Sequence, residues 1–323
     1  RIIAGHVGLN YLISKLIVEE QIEAYNLPQG VLCQLYREIA SGRPGLITRT
    51  GLGTFVDPRL EGGKLNARTR SCEDLVKVIT IEGEEFLFYP SFRVDVGIIR
   101  GSAADPFGNI SGDDEALLME NLEVAMATKN SGGIVIAQVL ELSDKPFPAH
   151  HVHVPGIFVD YVVKASSRKT HPHTLFTDYD TSFNGTEHVP VSTLAKPLPF
   201  GTEKIISRRA ALELREGMNV NLGIGVSMGV AGVAFEEGLL DKIVLNTEVG
   251  VIGGLPEGGK NFGPAKCPRA FISQAAMFDF YDGGGLDLTC VGMAQADKNG
   301  NVNVSKIGNR IIGSGGFINI TQA

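Results

Sequence analysis

The sequence predicts an α/β protein built from two related open α/β domains with parallel-rich sheets and flanking helices. Three observations carry that expectation. Apolar strand-like runs alternate with helical stretches, a strand–glycine turn–helix–strand unit is readable in the second half, and one turn pattern occurs once in each half. The length, 323 residues, is about twice that of a usual domain, which agrees.

Element by element, Arg1-Ile-Ile-Ala-Gly-His reads as the interior of a strand running into a loop. Over residues 10–20, Leu12, Ile13, Leu16 and Ile17 fall at helical spacing. A second helix is expected over 30–41, closed by Gly42 with Pro44 beyond. Val94-Asp-Val-Gly-Ile-Ile is a short apolar run expected as a buried strand. Ser111 followed by Asp113, Asp114 and Glu115 reads as the acidic, capped start of a helix running to Lys129 and stopping at Gly132-Gly133. Strands are expected from Ile134 and over 157–163, and runs apolar on both faces favour parallel layers.

Residues 166–200 break this pattern with Ser, Thr, His, Asp and the prolines Pro172, Pro190, Pro197 and Pro199. They are expected to connect an N-terminal domain, 1–165, to a C-terminal domain, 201–323. Helix returns over 203–215, capped by Thr202 and closed by Gly217. A strand at 219–222, a glycine turn, a helix to Glu237 and a strand at 242–247 make one βαβ unit. The last residues, 317–323, read as a strand. Ala104-Asp105-x-x-Gly108-Asn109-Ile110 and Ala296-Asp297-x-x-Gly300-Asn301-Val302 share a turn in which Asp caps the backbone and Gly takes positive φ.

Composition excludes several classes. Hydrophobic residues make 43% and charged residues 20%, a globular rather than disordered balance. No apolar run approaches the about 18 residues of a membrane span. A net charge of −7 without Lys/Arg blocks argues against nucleic acid as a partner. Cys33, Cys72, Cys267 and Cys290 are widely spaced, as in reduced thiols of a cytoplasmic protein. The histidines cluster mid-chain without Cys or acidic neighbours at ligand spacing, so no metal site is expected.

Three glycine-rich segments could carry chemistry. Gly223-Ile-Gly225 follows a strand and opens a helix, the shape of an anion-binding turn, although the third glycine of a dinucleotide fingerprint is misplaced. Glu248 stands just past an apolar strand and before Gly250, Gly253 and Gly254. It reads either as a solvated strand end or as a carboxylate held where α/β sites lie. Gly313-Ser-Gly315-Gly316 can aim backbone N–H groups at an anion, or form a tight hairpin.

Together Gly51-Leu-Gly-Thr-Phe-Val-Asp57-Pro-Arg59, the turn at 100–110, Glu248-x-Gly-x-x-Gly-Gly and Gly313-Ser-Gly-Gly-Phe317 resemble the family I CoA-transferases, closest to their propionate/acetate branch. The resemblance runs over the whole chain and is weakest across 164–200. It implies that the first part of domain one and the last part of domain two lie outside this sequence. Thr247 stands where relatives often have Val, and Asn319 where many have Asp.

The resemblance implies that Glu248 is the nucleophile, forming an acyl-glutamyl anhydride and then a glutamyl-CoA thioester in a ping-pong transfer between a short-chain acyl-CoA and an acid such as acetate or propionate. A positioned carboxylate needs no general base, and no Ser-His-Asp or Cys-His constellation is evident. Gln29, Gly315 and Gly316 match the family's oxyanion donors, although Gln29 could equally cap a helix beginning at Gly30. Gly223, Gly225, Gly253, Gly254, Gly313, Gly315 and Gly316 are the expected contacts for CoA, a substrate and covalent intermediate rather than a tightly bound cofactor. A homo-oligomer, dimer or tetramer, is expected. The alternatives are an acyl-CoA hydrolase on the same scaffold and a nucleotide-binding module without chemistry.

Overall fold

The computed structural model describes residues 1–322. Contacts group them into two units, one of Arg1–Phe92 with the stretch from Met293 onward, the other Arg93–Gly292. These units cut across the boundaries at 165 and 200 read from the sequence.

In the first unit, the strands Ile2–Ala4 and Ala24–Asn26 pair in parallel, Ala4 opposite Asn26. The helix Tyr11–Val18 connects them, and the Asn10 side chain caps it by accepting the Ile13 N–H at 3.1 Å. The helix Gln29–Ala40 follows. It ends as expected at Gly42, φ +68°, where Gly42 N–H and Arg43 N–H donate back to Ile39 and Glu38. An antiparallel sheet places Glu84–Pro90 between Gly45–Thr48 and Lys77–Ile81. The strand expected over 317–323 is instead the helix Phe317–Gln322, and Ala323 lies outside the described residues. Its β-branched composition is overridden by packing: Ile318, Asn319 and Ile320 are buried, and Asn319 Oδ1 accepts the Gly30 N–H at 3.1 Å.

The second unit holds two sheets. In one, Val96–Ala104, Ile134–Leu142 and Tyr161–Lys164 run parallel, and Ile110–Ser111 folds back antiparallel at the edge. The helix Asn121–Asn130 packs on the face formed by Ile99, Val135, Ala137 and Val139. The opposite face is exposed where the strands begin, at Val96, Ile98 and Ile134, while further along Arg100 bonds to Glu115 and the Pro172 carbonyl and Ser102 accepts the Asp114 N–H. The strand expected over 157–163 begins at Tyr161, after a short 3-10 turn at Gly156–Phe158.

The helix expected from Ser111 starts ten residues later, at Asn121. The carboxylates meant for its first turn are engaged elsewhere. Glu115 pairs with Arg100 and with His171 at 2.9 Å, while Asp114 accepts from Tyr179 and Asn184 and pairs with Arg168. Residues 166–200 are therefore fastened into the Arg93–Gly292 unit. His171, Phe183 and Val191 are buried there, and the only regular structure described is short 3-10 turns.

The second sheet has the order Ala270–Phe271, Val251–Ile252, Val244–Thr247, Asn219–Leu222, Leu288–Cys290. Its last three strands are mutually parallel, and the helix Gly229–Glu236 crosses between Asn219–Leu222 and Val244–Thr247. This is the βαβ unit read from the sequence. The helix expected over 203–215 is shorter, Thr202–Ala211, with Thr202 inside it and Gly201 at the cap.

The repeated turn forms the same structure twice. Asp105 Oδ1 accepts the N–H groups of Phe107 and Asn109, and Asp297 Oδ1 those of Asn299 and Asn301. The second oxygen of each holds the following Asn amide, at 3.0 and 2.8 Å. Gly108 and Gly300 have φ of +78° and +85°. Both hairpins share a register, Ala104 opposite Ile110 and Ala296 opposite Val302.

Candidate active site

Glu248 lies in the second unit, on the turn that leaves the strand Val244–Thr247, and is half-buried. Asn246 pairs with Asn221 on the neighbouring parallel strand. Glu248 and Gly223, each two residues further on, both follow the C-terminal ends of adjacent parallel strands, where parallel α/β sheets place their sites.

The turn leaves no room for a side chain at Gly250. Gly250 has φ +98°, and a Cβ there would lie 2.1 Å from the Ile272 carbonyl oxygen. Gly250 N–H donates to Thr247 O at 3.1 Å, and Ile272 N–H to Gly250 O at 2.9 Å. Val249 and Val251 anchor the turn against Leu117, Met119 and Phe271. Thr247 Oγ1 is buried with no hydrogen-bond partner among the described residues, so the hydroxyl that distinguishes it from Val has no visible role.

The other predicted residues of this unit divide. Gly223 N–H donates to Cys290 O at 2.8 Å, and Gly225, φ +90°, faces open space at the start of the turn Gly225–Met228. Gly253 is pressed against the Arg269 side chain and Gly254 against the Lys266 carbonyl. Sequence reasoning missed a polar cluster beneath the strand ends. Tyr281, on the helix Gln274–Asp282, is fully buried and donates its hydroxyl to Asn246 Oδ1. Asn221 Nδ2 donates to Tyr281 Oη and to Asn246 O, both at 3.3 Å. The available signal was Asn221 and Asn246 at buried positions of short strands that also hold Val and Leu. Burial pushes the phenol's pKa up, the Asn221 hydrogen bond opposes this, and the Glu248 charge adds to the upward push.

In the first unit, Gln29, Gly313, Gly315 and Gly316 come together beyond the ends of the parallel pair. Gln29 N–H donates to Gly315 O at 2.9 Å, and Gly315 N–H to Gly5 O at 2.8 Å. Asn26 ties the loop down: its Oδ1 accepts the Ser314 N–H at 2.9 Å, and its Nδ2 donates to Ala4 O and Gly5 O. Gly313 and Gly315 both have positive φ, as a loop turning its backbone so tightly requires. Gln29 is the first residue of its helix, so it is not that helix's cap; its amide lies 3.5 Å from Cys33 Sγ.

Residues 1–165 match the family model described as "Coenzyme A transferase". The chain belongs to this CoA-transferase family. Among curated relatives, the caffeate CoA-transferase of Acetobacterium woodii is 47% identical over 99% of the chain and 62% of its own length. The acetate CoA-transferase YdiF of Escherichia coli K12 is 38% identical over 99% of the chain and 59% of its own length. The crystal structure of the acyl-CoA transferase YdiF of E. coli O157:H7, as a thioester complex with CoA, superposes with a TM-score of 0.87. It is 37% identical, with 98% of this chain and 59% of that one covered. The chain thus spans about six-tenths of the length of these CoA-transferases. Among the described residues no helix is long and apolar enough to cross a membrane.

Proposed function

We propose that the intact protein transfers CoA between an acyl-CoA and a carboxylic acid through a glutamyl-CoA thioester on Glu248. The observation that carries this reading is the carboxylate's place: a half-buried Glu on a glycine turn at the C-terminal edge of a parallel sheet. The names of the relatives and the thioester form in which one of them was captured support it.

In this scheme the Glu248 carboxylate attacks the thioester carbonyl, the C–S bond breaks, and an acyl-glutamyl anhydride and CoA thiolate result. The thiolate then attacks the glutamyl carbonyl and expels the first acid. A second carboxylate reverses both steps. Both attacks pass through tetrahedral oxyanions, for which Gly316 and the Gln29 amide are the proposed donors; the Gly315 N–H, expected from the sequence to join them, is already given to Gly5 O. Gly223, Gly225 and Gly313 are proposed to contact CoA, whose remote parts supply binding energy for the strained step. The same scheme assigns 1–165 and 201–323 to the two family domains, in a cytoplasmic homo-oligomer.

Acetate and propionate are the acids expected from the sequence. A hydroxycinnamate acceptor is the second reading, favoured by the higher identity to the caffeate enzyme. The test is exchange of labelled acid into acyl-CoA, run with acetate, propionate and caffeate. Glu248→Ala should leave circular dichroism unchanged and lower exchange at least about a thousandfold. Substantial exchange in the folded variant contradicts the assignment, and full consumption of acyl-CoA without an acid acceptor favours the hydrolase.

A further inference from the structure

We infer that Tyr281 is a positioning residue for the transfer reaction, holding the end of the strand Val244–Thr247 through Asn246 so that the following turn presents Glu248 in register. The inference rests on the proposed role of Glu248.

The geometry is a short buried chain of hydrogen bonds. Thr289 donates to Asn221 Oδ1 at 3.4 Å; Asn221 Nδ2 donates to Tyr281 Oη; the Tyr281 hydroxyl donates to Asn246 Oδ1. Tyr281 is fully buried, and Asn221 and Asn246 are each 3% exposed. Four elements meet here: the strands Asn219–Leu222, Val244–Thr247 and Leu288–Cys290, and the helix Gln274–Asp282. An apolar layer would bury this space without polar groups, which are costly to enclose unless fully bonded. Polar groups here give direction instead: a hydroxyl pointing at one amide oxygen fixes the side chain, and through it the backbone, two residues before Glu248. Phe278 and Phe280 flank the phenol at centroid distances of 6.1 and 6.3 Å and hold its ring. Burial pushes the phenol's pKa up, and the Glu248 charge acts in the same direction.

The experiment uses the intact protein and Tyr281→Phe, which removes one oxygen. Three quantities are read: thermal midpoint, steady-state kcat and KM for acyl-CoA, and the single-turnover rate of the borohydride-sensitive adduct, mapped by peptide mass. Displacement of a nucleophile by a fraction of an ångström should lower kcat and the adduct rate together, about tenfold or more, with KM unchanged. A wild-type adduct rate in folded Tyr281→Phe overturns the inference. An adduct mapped away from Glu248 in the wild type is a different result, and removes the nucleophile assignment itself.

Tyr281→Phe leaves Asn246 Oδ1 without its hydroxyl donor and so lowers stability. The double variant Tyr281→Phe/Asn246→Leu separates the effects, because replacing both ends of that bond by apolar groups recovers stability, while Asn221 Nδ2, which loses Tyr281 Oη, keeps the Asn246 carbonyl. Restored stability with kcat still low supports positioning. Restored stability with restored kcat shows a purely structural role.

Discussion

The repeated hairpin offers a controlled comparison, because one turn occurs in two environments. Asp105 is 6% exposed, whereas Asp297 is exposed. Asp105→Ala removes acceptors for Phe107 N–H, Asn109 N–H, the Asn109 amide and Phe147 N–H, at 2.9 to 3.1 Å. The damage extends further, since the oriented Asn109 side chain accepts the Gly156 N–H at 2.8 Å. Asp297→Ala removes the first three of these at its own site, at 2.8 to 2.9 Å, in reach of water. Hydrogen bonds to a charged acceptor contribute about 1.5–3 kcal/mol each when desolvated, and far less where water can substitute. The bonds of one carboxylate are not additive, so about 3 kcal/mol is expected for Asp105→Ala and a clearly smaller loss for Asp297→Ala. Urea denaturation followed by circular dichroism, with hydrogen exchange at the Asn109 and Asn301 amides, reads both. An Asp297→Ala loss equal to or larger than that of Asp105→Ala would show that burial does not set the value of this turn.

Gly250→Ala forces a Cβ against the Ile272 carbonyl at a φ of +98°, and should cost about 3 kcal/mol or more, read by thermal denaturation, while disabling adduct formation. Asp57 is buried and held down to about 2, first by its Arg59 hydrogen bonds. A carboxylate with a depressed folded pKa stabilises fully above its unfolded value of about 4 and loses that contribution as pH falls toward about 2. The loss is at most about 2 kcal/mol, visible as a steeper fall of the thermal midpoint below pH 4 in the wild type than in Asp57→Asn.

Local signals carried much of the fold into the sequence. The βαβ unit was legible because its apolar runs are short, its crossover helix is bounded by glycines, and its strands pair with neighbours close in the chain. The helix Gln29–Ala40 was legible from Gly42, and the twin hairpins from Asp and Gly at fixed offsets. What could not be read depended on distant partners. Ser111 and the three acids after it have every local mark of a helix start, but Glu115 and Asp114 are claimed by Arg100, Arg168 and His171. Those same bonds fasten 166–200, whose composition alone reads as a loose connection. The helix at 317–322 hides in β-branched residues whose burial decides their conformation. Glu248 was visible because packing does not explain a carboxylate between an apolar strand and glycines. Its support from Tyr281 was not, since residues 246 and 281 are joined only by the fold.

Whether Glu248 itself carries CoA is read out by chemical trapping. The intact protein is incubated with acyl-CoA and no acceptor, treated with borohydride, digested and mapped by mass. A thioester is reduced to an alcohol, while free carboxylates and amides are untouched. One reduced glutamate is expected, at Glu248 within 243–260, with permanent loss of transfer only where acyl-CoA was present. Reduction at another carboxylate, or full activity after the same treatment, would contradict it.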